Sequence, residues 1–393
     1  MASEVGKTSI AVVVPVSNAH CRDIVRGIFQ YAAENQNWTL RNHPVLTEES
    51  LNAISHWNCS GAIVLAGPGP CWGQLMNLGI PVVNASGYDI RHKVPTVTVD
   101  NYQVGTQAAE YFLRDGYTSF RYVGLERVKY SVFRGMGFRD RLAEEGFDCP
   151  EFFVWNSPKG KTKRHERRTA KWLERLPLHT ALLASSDAEA LELLQIAAHH
   201  GVEVPETLSV LGVDDDDVAC FLTNPPLSSV RLPGIKIGFN AANLLAKLLV
   251  DPGSTVEDLY IPPEGISVRR STDSLGVDDE VVRKGVSFIR SHVTKPLLVS
   301  DVARSVGVSR RVLEQHFRST LNRSPRSEIR HQQLARACSL LAHSVESISN
   351  IAEGCGFRNA SRLNDAFRRE HNMTPREYRR LFSDKHANSP PEG

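Results

Sequence analysis

The strand signal in this sequence stops at Val277, and that change of pattern divides what the chain can fold into. Before it, short runs rich in Val, Ile and Leu recur at Ser9–Pro15, Gly61–Ala66, Pro81–Asn84, Thr96–Val99, Phe120–Gly124, Phe152–Trp155, Ala181–Ala184 and Leu208–Val213. Helical patterns accompany them at Cys21–Glu34, Tyr102–Asp115, Val132–Glu145, Lys163–Leu176, Asp187–His200 and Gly234–Leu249. The runs are continuously apolar, not alternating, which implies parallel sheets covered by helices on both faces. Some ten such units over about 260 residues exceed one comfortable sheet. The spacing predicts an α/β domain over 8–270, with two doubly wound lobes and a cleft between them. The turn-rich Asp251–Ser254 and an extended stretch Asp258–Arg270 close it. Residues 271–277 read as a linker, 278–382 as an all-α domain, and 383–393 as a frayed tail.

Composition excludes several classes. No apolar run approaches the roughly 20 residues of a membrane span, and the N-terminus carries no charged-then-apolar leader, so a cytoplasmic protein with no membrane partner is expected. The seven cysteines are scattered and form no C-x-x-C pair, which argues against both a disulfide framework and a structural zinc site; no metal or other cofactor is expected. His199-His200 closes a helical pattern, where it suits the helix dipole. A net charge of +2 conceals an asymmetry: from Asp278 onward there are 20 Lys and Arg against 13 Asp and Glu, whereas the preceding residues carry an acidic excess. A basic helical end on an acidic body suits a nucleic-acid reader attached to something else.

That helical end repeats itself. Val302-Ala303, Gly307-Val308, Leu313 and Phe317 match Ile351-Ala352, Gly356-Phe357, Leu363 and Phe367 at an offset of 49 to 50 residues. In each copy a small Ala lets two helices cross closely, and a Gly in the turn permits positive φ. Ser309 or Asn359 caps the second helix, and Leu and Phe at i, i+4 pin it inward. This is the helix-turn-helix pattern, written twice and joined by the helical Glu328–Ala342. The first reader's outward residues include Arg310, Arg311 and Gln315; Arg311 suits guanine and Gln315 adenine. The second offers Ser361, Arg362 and Asp365, with Asp365 suited either to a cytosine amino group or to a neighbouring arginine. Arg318, Arg358, Arg368 and Arg369 suit phosphate.

The doubled motif, with Phe367-Arg368-Arg369 and the run Met373–Arg379, resembles the DNA-binding domain of the AraC family over about 278–382. It departs where that family has an aromatic pair before Phe367; Arg362-Leu363 stands here. The resemblance implies a DNA operator, a homodimer and activation through RNA polymerase.

In doubly wound sheets, ligands sit beyond the carboxyl ends of the strands. Those ends carry Asn18 and His20, Asn84, Ser185-Ser186-Asp187 and Asp214–Asp217, with Tyr130 and Arg134 entering the next helix. Carboxylates, amides, one arginine and an aromatic face suit a polyhydroxylated, uncharged ligand. Asp187 either meets that ligand or caps the helix that follows. Of the four aspartates, only Asp214 is expected in the site; the rest read as solvated surface. Gly67–Pro70 reads as a turn without the Lys-Ser/Thr of a phosphate loop.

Arg134–Phe138, Ser186-Asp187 and Leu211–Asp215 resemble the sugar-sensing domain of LacI/GalR regulators and periplasmic binding proteins over about 8–270. That resemblance implies sugar contacts from Arg134, from Ser186 or Asp187, from Asp214 and from Asn84; Tyr130 and His20 join them by position. Thr162 replaces a tryptophan of related chains, and Tyr130 offers an aromatic face instead. The order of the two parts, with the Asp100-Asn101-Tyr102 and Arg269–Asp273 runs, is similar to a family of pentose-responsive regulators, which implies D-xylose or a related pentose as ligand. A purine or amino-acid sensor of the same architecture is the alternative. An enzyme is disfavoured, because no G-x-S-x-G, Walker loop, G-x-G-x-x-G or metal-spaced group occurs.

Overall fold

Most of the described strands of the N-terminal region are followed by a helix, and this alternation winds two sheets. The structure, a computed structural model, describes residues 8–35, 38–88, 93–153, 163–277 and 279–382. Thr162, Trp155 and the tail 383–393 lie outside the described residues. The chain divides into two units, Met1–Tyr111 with Ser119–Thr272, and Phe112–Thr118 with Asp273–Gly393.

The first unit opens with β1 (Thr8–Val13), α1 (Ala19–Asn35), β2 (Trp38–His43), α2 (Glu48–His56), β3 (Gly61–Val64), α3 (Cys71–Met76) and β4 (Val82–Asn84). Its strands form a parallel sheet in the order β2-β1-β3-β4. The chain then passes through β5 (Val97–Val99) and α4 (Asn101–Arg114) into a second winding: β6 (Ser119–Gly124), α5 (Lys129–Glu144), β7 (Glu151–Phe153), α6 (Lys163–Leu173), β8 (Thr180–Ala184), α7 (Asp187–His199), β9 (Leu208–Asp214), α8 (Asp217–Leu222) and β10 (Ser228–Arg231). Helix α9 (Gly234–Val250) returns to pack on α1, so closely that a Cβ at Gly238 would fall 1.9 Å from the Ile24 carbonyl oxygen. Finally β11 (Leu259–Ile261) joins β5, and β12 (Ile266–Ser267) adds an antiparallel edge to the second sheet, ordered β12-β10-β9-β8-β6-β7. The doubly wound α/β expectation therefore holds. The edge strand β2, written Trp-Thr-Leu-Arg-Asn-His, is too polar to read as an apolar run; among the described residues it pairs with β1 alone.

The second unit contains α10 (Glu280–His292), α11 (Val299–Val306), α12 (Arg310–Leu321), α13 (Pro325–His343), α14 (Ile348–Gly354), α15 (Ala360–His371) and α16 (Pro375–Phe382). Each copy of the repeat makes one helix-turn-helix: α11–α12 and α14–α15. Gly307 and Gly356 sit at φ +77° and +70°. Ser309 accepts from the Val312 amide and Asn359 from the Arg362 amide, capping the two second helices. Leu313 and Phe317 are buried in one core with Val282, Val286 and Val302, and Leu363 and Phe367 in another with Leu334, Ile351 and Tyr378. Each reader thus has its own apolar support, with α13 contributing to both cores.

Two expectations change. Residues 271–277 are packed and do not form a free linker. Ser271 donates to the Val210 carbonyl (2.6 Å) and accepts from the Ser228 amide (2.8 Å), while Leu275 and Val277 join the core of the second unit. The aspartate run is also not a solvated surface. Asp215 pairs with Arg269 at 2.8 Å, and Asp216 is buried as the N-cap of α8; only Asp217 is exposed. Asp216 accepts a backbone amide where β9 turns into α8, and Asp215 pairs with the Arg269 side chain and accepts from that of Ser267.

Candidate functional site

Arg134 and Asp214 meet at the carboxyl end of the second sheet. Arg134 projects from the second turn of α5 and is 4% exposed; Asp214 ends β9 and its side chain is 16% exposed. Their charged atoms are 3.8 Å apart. The guanidinium is held from three sides: Nε donates to Asn101 Oδ1 at 2.9 Å, Nη1 donates to the Ser185 carbonyl, and Cζ lies 4.9 Å from the Tyr130 ring centroid. Tyr130 in turn meets Tyr88 edge to face, centroids 5.4 Å apart.

Asp214 is under strain. Its φ is +122°, a region side-chain-bearing residues avoid and which clusters at functional sites. Burial pushes its carboxyl up to about 7, against the pull of Arg134. The proton bookkeeping has a definite sign. A carboxyl that ionises near 3.8 unfolded and about 7 folded binds extra protons in the native state between those values, so its contribution to stability falls as pH rises through that window. A ligand that donates hydroxyls to Asp214 favours the ionised form. Its affinity is expected to rise by up to about tenfold per pH unit below 7 and level off above it. Calorimetric titration between pH 5.5 and 8.5 checks this; a flat profile contradicts it.

His20, at the start of α1, has its Nδ1 sheltered and without a hydrogen-bond partner among the described residues. Burial, reinforced by Arg134, lowers its pKa to about 3, so the ring is neutral at physiological pH. Beside this group Tyr88 borders two cavities. One, of about 290 Å³, is lined by Pro15, Leu65, Gly67 and Trp72 at the ends of β1 and β3. The other, about 780 Å³, is lined by Asn84, Ser86, Asn101 and Tyr260. The Gly67–Pro70 turn is thus part of a cavity wall.

Three expected contacts are committed elsewhere. Asp187 accepts from Ser229 Oγ at 2.6 Å with one oxygen and from the Asp216 amide at 2.8 Å with the other. A Cβ at Gly212 would reach within 2.2 Å of Asp187 Oδ1, so the absence of a side chain at Gly212 is what lets this carboxylate settle against β9. Asp187 braces the turn after β9, and the cap of α7 is Ser186, which accepts from the Ala188 amide. Asn84 Oδ1 accepts from both Ser86 N and Ser86 Oγ, and its Nδ2 donates to Thr96 Oγ1. A polar residue after a strand can serve a ligand or the strand's own turn, and each of these three makes hydrogen bonds within the turns. Conversely, the contacts of Tyr88 and Asn101 with α5 escaped sequence reasoning. Tyr88 follows β4 by four residues, and aromatic type was its only signal.

In the second unit Arg310, Arg311 and Gln315 are exposed on α12, and Ser361, Arg362 and Asp365 on α15. Arg310 is tied to Glu314 at 2.8 Å, which leaves Arg311 and Gln315 as the exposed pair. Around the second reader, α13 adds cations the motif did not reveal. Arg330 stacks on Phe357 at 4.8 Å, and burial together with the charges of Arg326, Arg369 and Arg362 lowers its pKa. Crowded arginines of this kind are what phosphates neutralise.

A model of the periplasmic binding protein-like domain matches residues 109–272, and one of a helix-turn-helix domain matches 302–381. A doubly wound α/β domain with cavities beside the Arg134–Asp214 group and a doubled helix-turn-helix in one chain define a DNA-binding transcriptional regulator with a sensor domain. The chain is similar over nearly its whole length to the xylose operon regulatory proteins. It is 28% identical to that of Escherichia coli (strain K12) over 387 residues, 95% of this chain and 97% of the other. With that of Haemophilus influenzae it shares 27% over 380 residues, 94% and 97% of the two chains. Among solved structures, that of the xylose-binding transcription activator xylR matches with a TM-score of 0.62 and 26% identity, covering 97% of this chain and 100% of the other.

Proposed function

We propose that this protein is a sugar-responsive activator of pentose-catabolic genes, with D-xylose or a related pentose as its ligand. Asp214 carries the reading: a sheltered, strained carboxylate facing a buried arginine, beside an aromatic pair and a neutral histidine with a free nitrogen. Vicinal hydroxyls bridge Asp214 and Arg134, a further hydroxyl reaches His20, and the C–H face of the sugar rests on Tyr130 or Tyr88. Similarity to xylose operon regulators along 95% of the chain supports the choice of sugar. The protein works in the cytoplasm as a homodimer rather than as an enzyme. Each protomer sets α12 and α15 in successive major grooves, and the bound pair recruits RNA polymerase.

Thermal melting against a monosaccharide panel that includes D-xylose tests the ligand. A sugar at 100 times its dissociation constant stabilises the native state by about 2.7 kcal/mol, a plain shift in melting temperature. A shift with a purine or amino acid and none with any sugar overturns the reading. On the DNA side, Arg311→Ala is expected to cost about 1–3 kcal/mol on a duplex selected by the protein itself, and to relax preference at one base pair. Equal loss on unrelated duplex would make Arg311 a phosphate contact.

A further inference from the structure

The DNA-binding unit is completed by seven residues that come from the middle of the sensor sequence. Phe112–Thr118, the last turn of α4 and the residues behind it, group with Asp273–Gly393. Asp115 is 1% exposed and lies 3.0 Å from Arg290 of α10 and 3.5 Å from Arg323. Arg323 follows Asn322, the left-handed C-cap of α12, the first recognition helix. It also pairs with the buried Glu328 of α13 at 2.7 Å and donates to the Arg114 carbonyl. Burial alone would raise the Asp115 pKa, but Arg114, Arg290 and Arg323 outweigh it and keep the carboxylate ionised below the usual range. Two neighbours are fitted as tightly. Tyr117 donates to the Ser274 carbonyl at 3.0 Å, and a Cβ at Gly276 would strike the Tyr117 backbone at 2.3 Å.

The other end of α4 is in the ligand site. Asn101, its first residue, holds Arg134 through Nε. Helices α4 and α5 meet backbone to backbone at two glycines. A Cβ at Gly105 would lie 2.0 Å from the Arg134 carbonyl oxygen, and one at Gly137 would lie 2.0 Å from that of Tyr102. Contact without side chains leaves little slack, so α5 cannot shift without moving α4.

We propose that α4 is the transmission element of the switch and Asp115 its output: ligand drawn onto Arg134 displaces Asn101, and the unbroken helix, about 21 Å long, passes that displacement through Asp115 to Arg290 and Arg323. The proposal rests on the sensing role assigned to the Arg134 site. Asp115 is a positioning residue that touches neither ligand nor DNA. Its removal is expected to uncouple the two without abolishing either.

The test uses full-length protein, D-xylose and a duplex selected by the wild type. In the wild type, sugar is expected to change the DNA dissociation constant by roughly 5- to 150-fold. Asp115→Asn is expected to keep the sugar-induced melting shift and DNA binding, while that ratio falls to within about twofold of one. A ratio equal to the wild type overturns the proposal. Should Asp115→Asn fail to fold, amide exchange in the wild type decides: D-xylose altering exchange at 112–118 supports the route, and unchanged exchange there alongside protection in the cleft overturns it. If no sugar shifts the melting point, the sensing role fails separately. The route is then tested without ligand by Arg134→Ala, which is expected to speed exchange at 112–118; unaltered exchange overturns it.

Discussion

Asp214→Asn is expected to weaken sugar binding about 100-fold and to leave sugar-free DNA affinity within about twofold of the wild type. Hydrogen bonds to a charged acceptor contribute about 1.5–3 kcal/mol each, and the amide turns one acceptor into a donor facing a hydroxyl or the Arg134 guanidinium. The loss of a single net bond of about 2.7 kcal/mol gives the hundredfold figure. DNA affinity is spared because Asp214 and the recognition helices belong to different units. Titration calorimetry with the sugar and fluorescence anisotropy with duplex DNA separate the two. Sugar affinity within threefold of the wild type would remove Asp214 from the site.

A second large effect is expected from Gly356→Ala. Gly356 sits at φ +70°, and a Cβ there would lie 2.4 Å from the Lys295 carbonyl oxygen and 2.9 Å from Gln333 Nε2. The substitution adds a backbone clash to left-handed strain, and about 3 kcal/mol or more should be lost from the second reader. Gly307, its counterpart in the first copy, has φ +77° but open space around it, so Gly307→Ala should cost only about 1 kcal/mol. Urea denaturation of the two variants checks the contrast. Equal losses would contradict it.

That contrast marks where sequence reasoning stops. The two glycines are equivalent in the repeat, and the need for positive φ was legible at both. Which one is crowded depends on Lys295, in the loop between α10 and α11, and the repeat contains no trace of it. The same holds for the fold. Continuous apolar runs disclosed the parallel sheets, and capping residues with Leu and Phe at helical spacing disclosed both readers. The polar edge strand β2 and the reassignment of Phe112–Thr118 depend on tertiary pairing. In the candidate site, the grouping of Arg134, Asp214 and Tyr130 was legible because a charged or aromatic group after a buried strand has few local uses. Asp187, Ser186 and Asn84 looked alike on the page, yet the turns of the sheet take their hydrogen bonds. Tyr88 and Asn101 join the site through contacts with α5 that no motif spells out.

The proposed function stands on coupling, within one chain, between sugar binding and DNA binding. The most direct measurement is the dissociation constant of full-length protein for its selected duplex, with and without saturating D-xylose, by fluorescence anisotropy at fixed salt. A sugar-dependent change of at least about fivefold is expected, with the sugar concentration that produces it raised about 100-fold in Asp214→Asn. Identical constants, under conditions where D-xylose demonstrably raises the melting temperature, would contradict it.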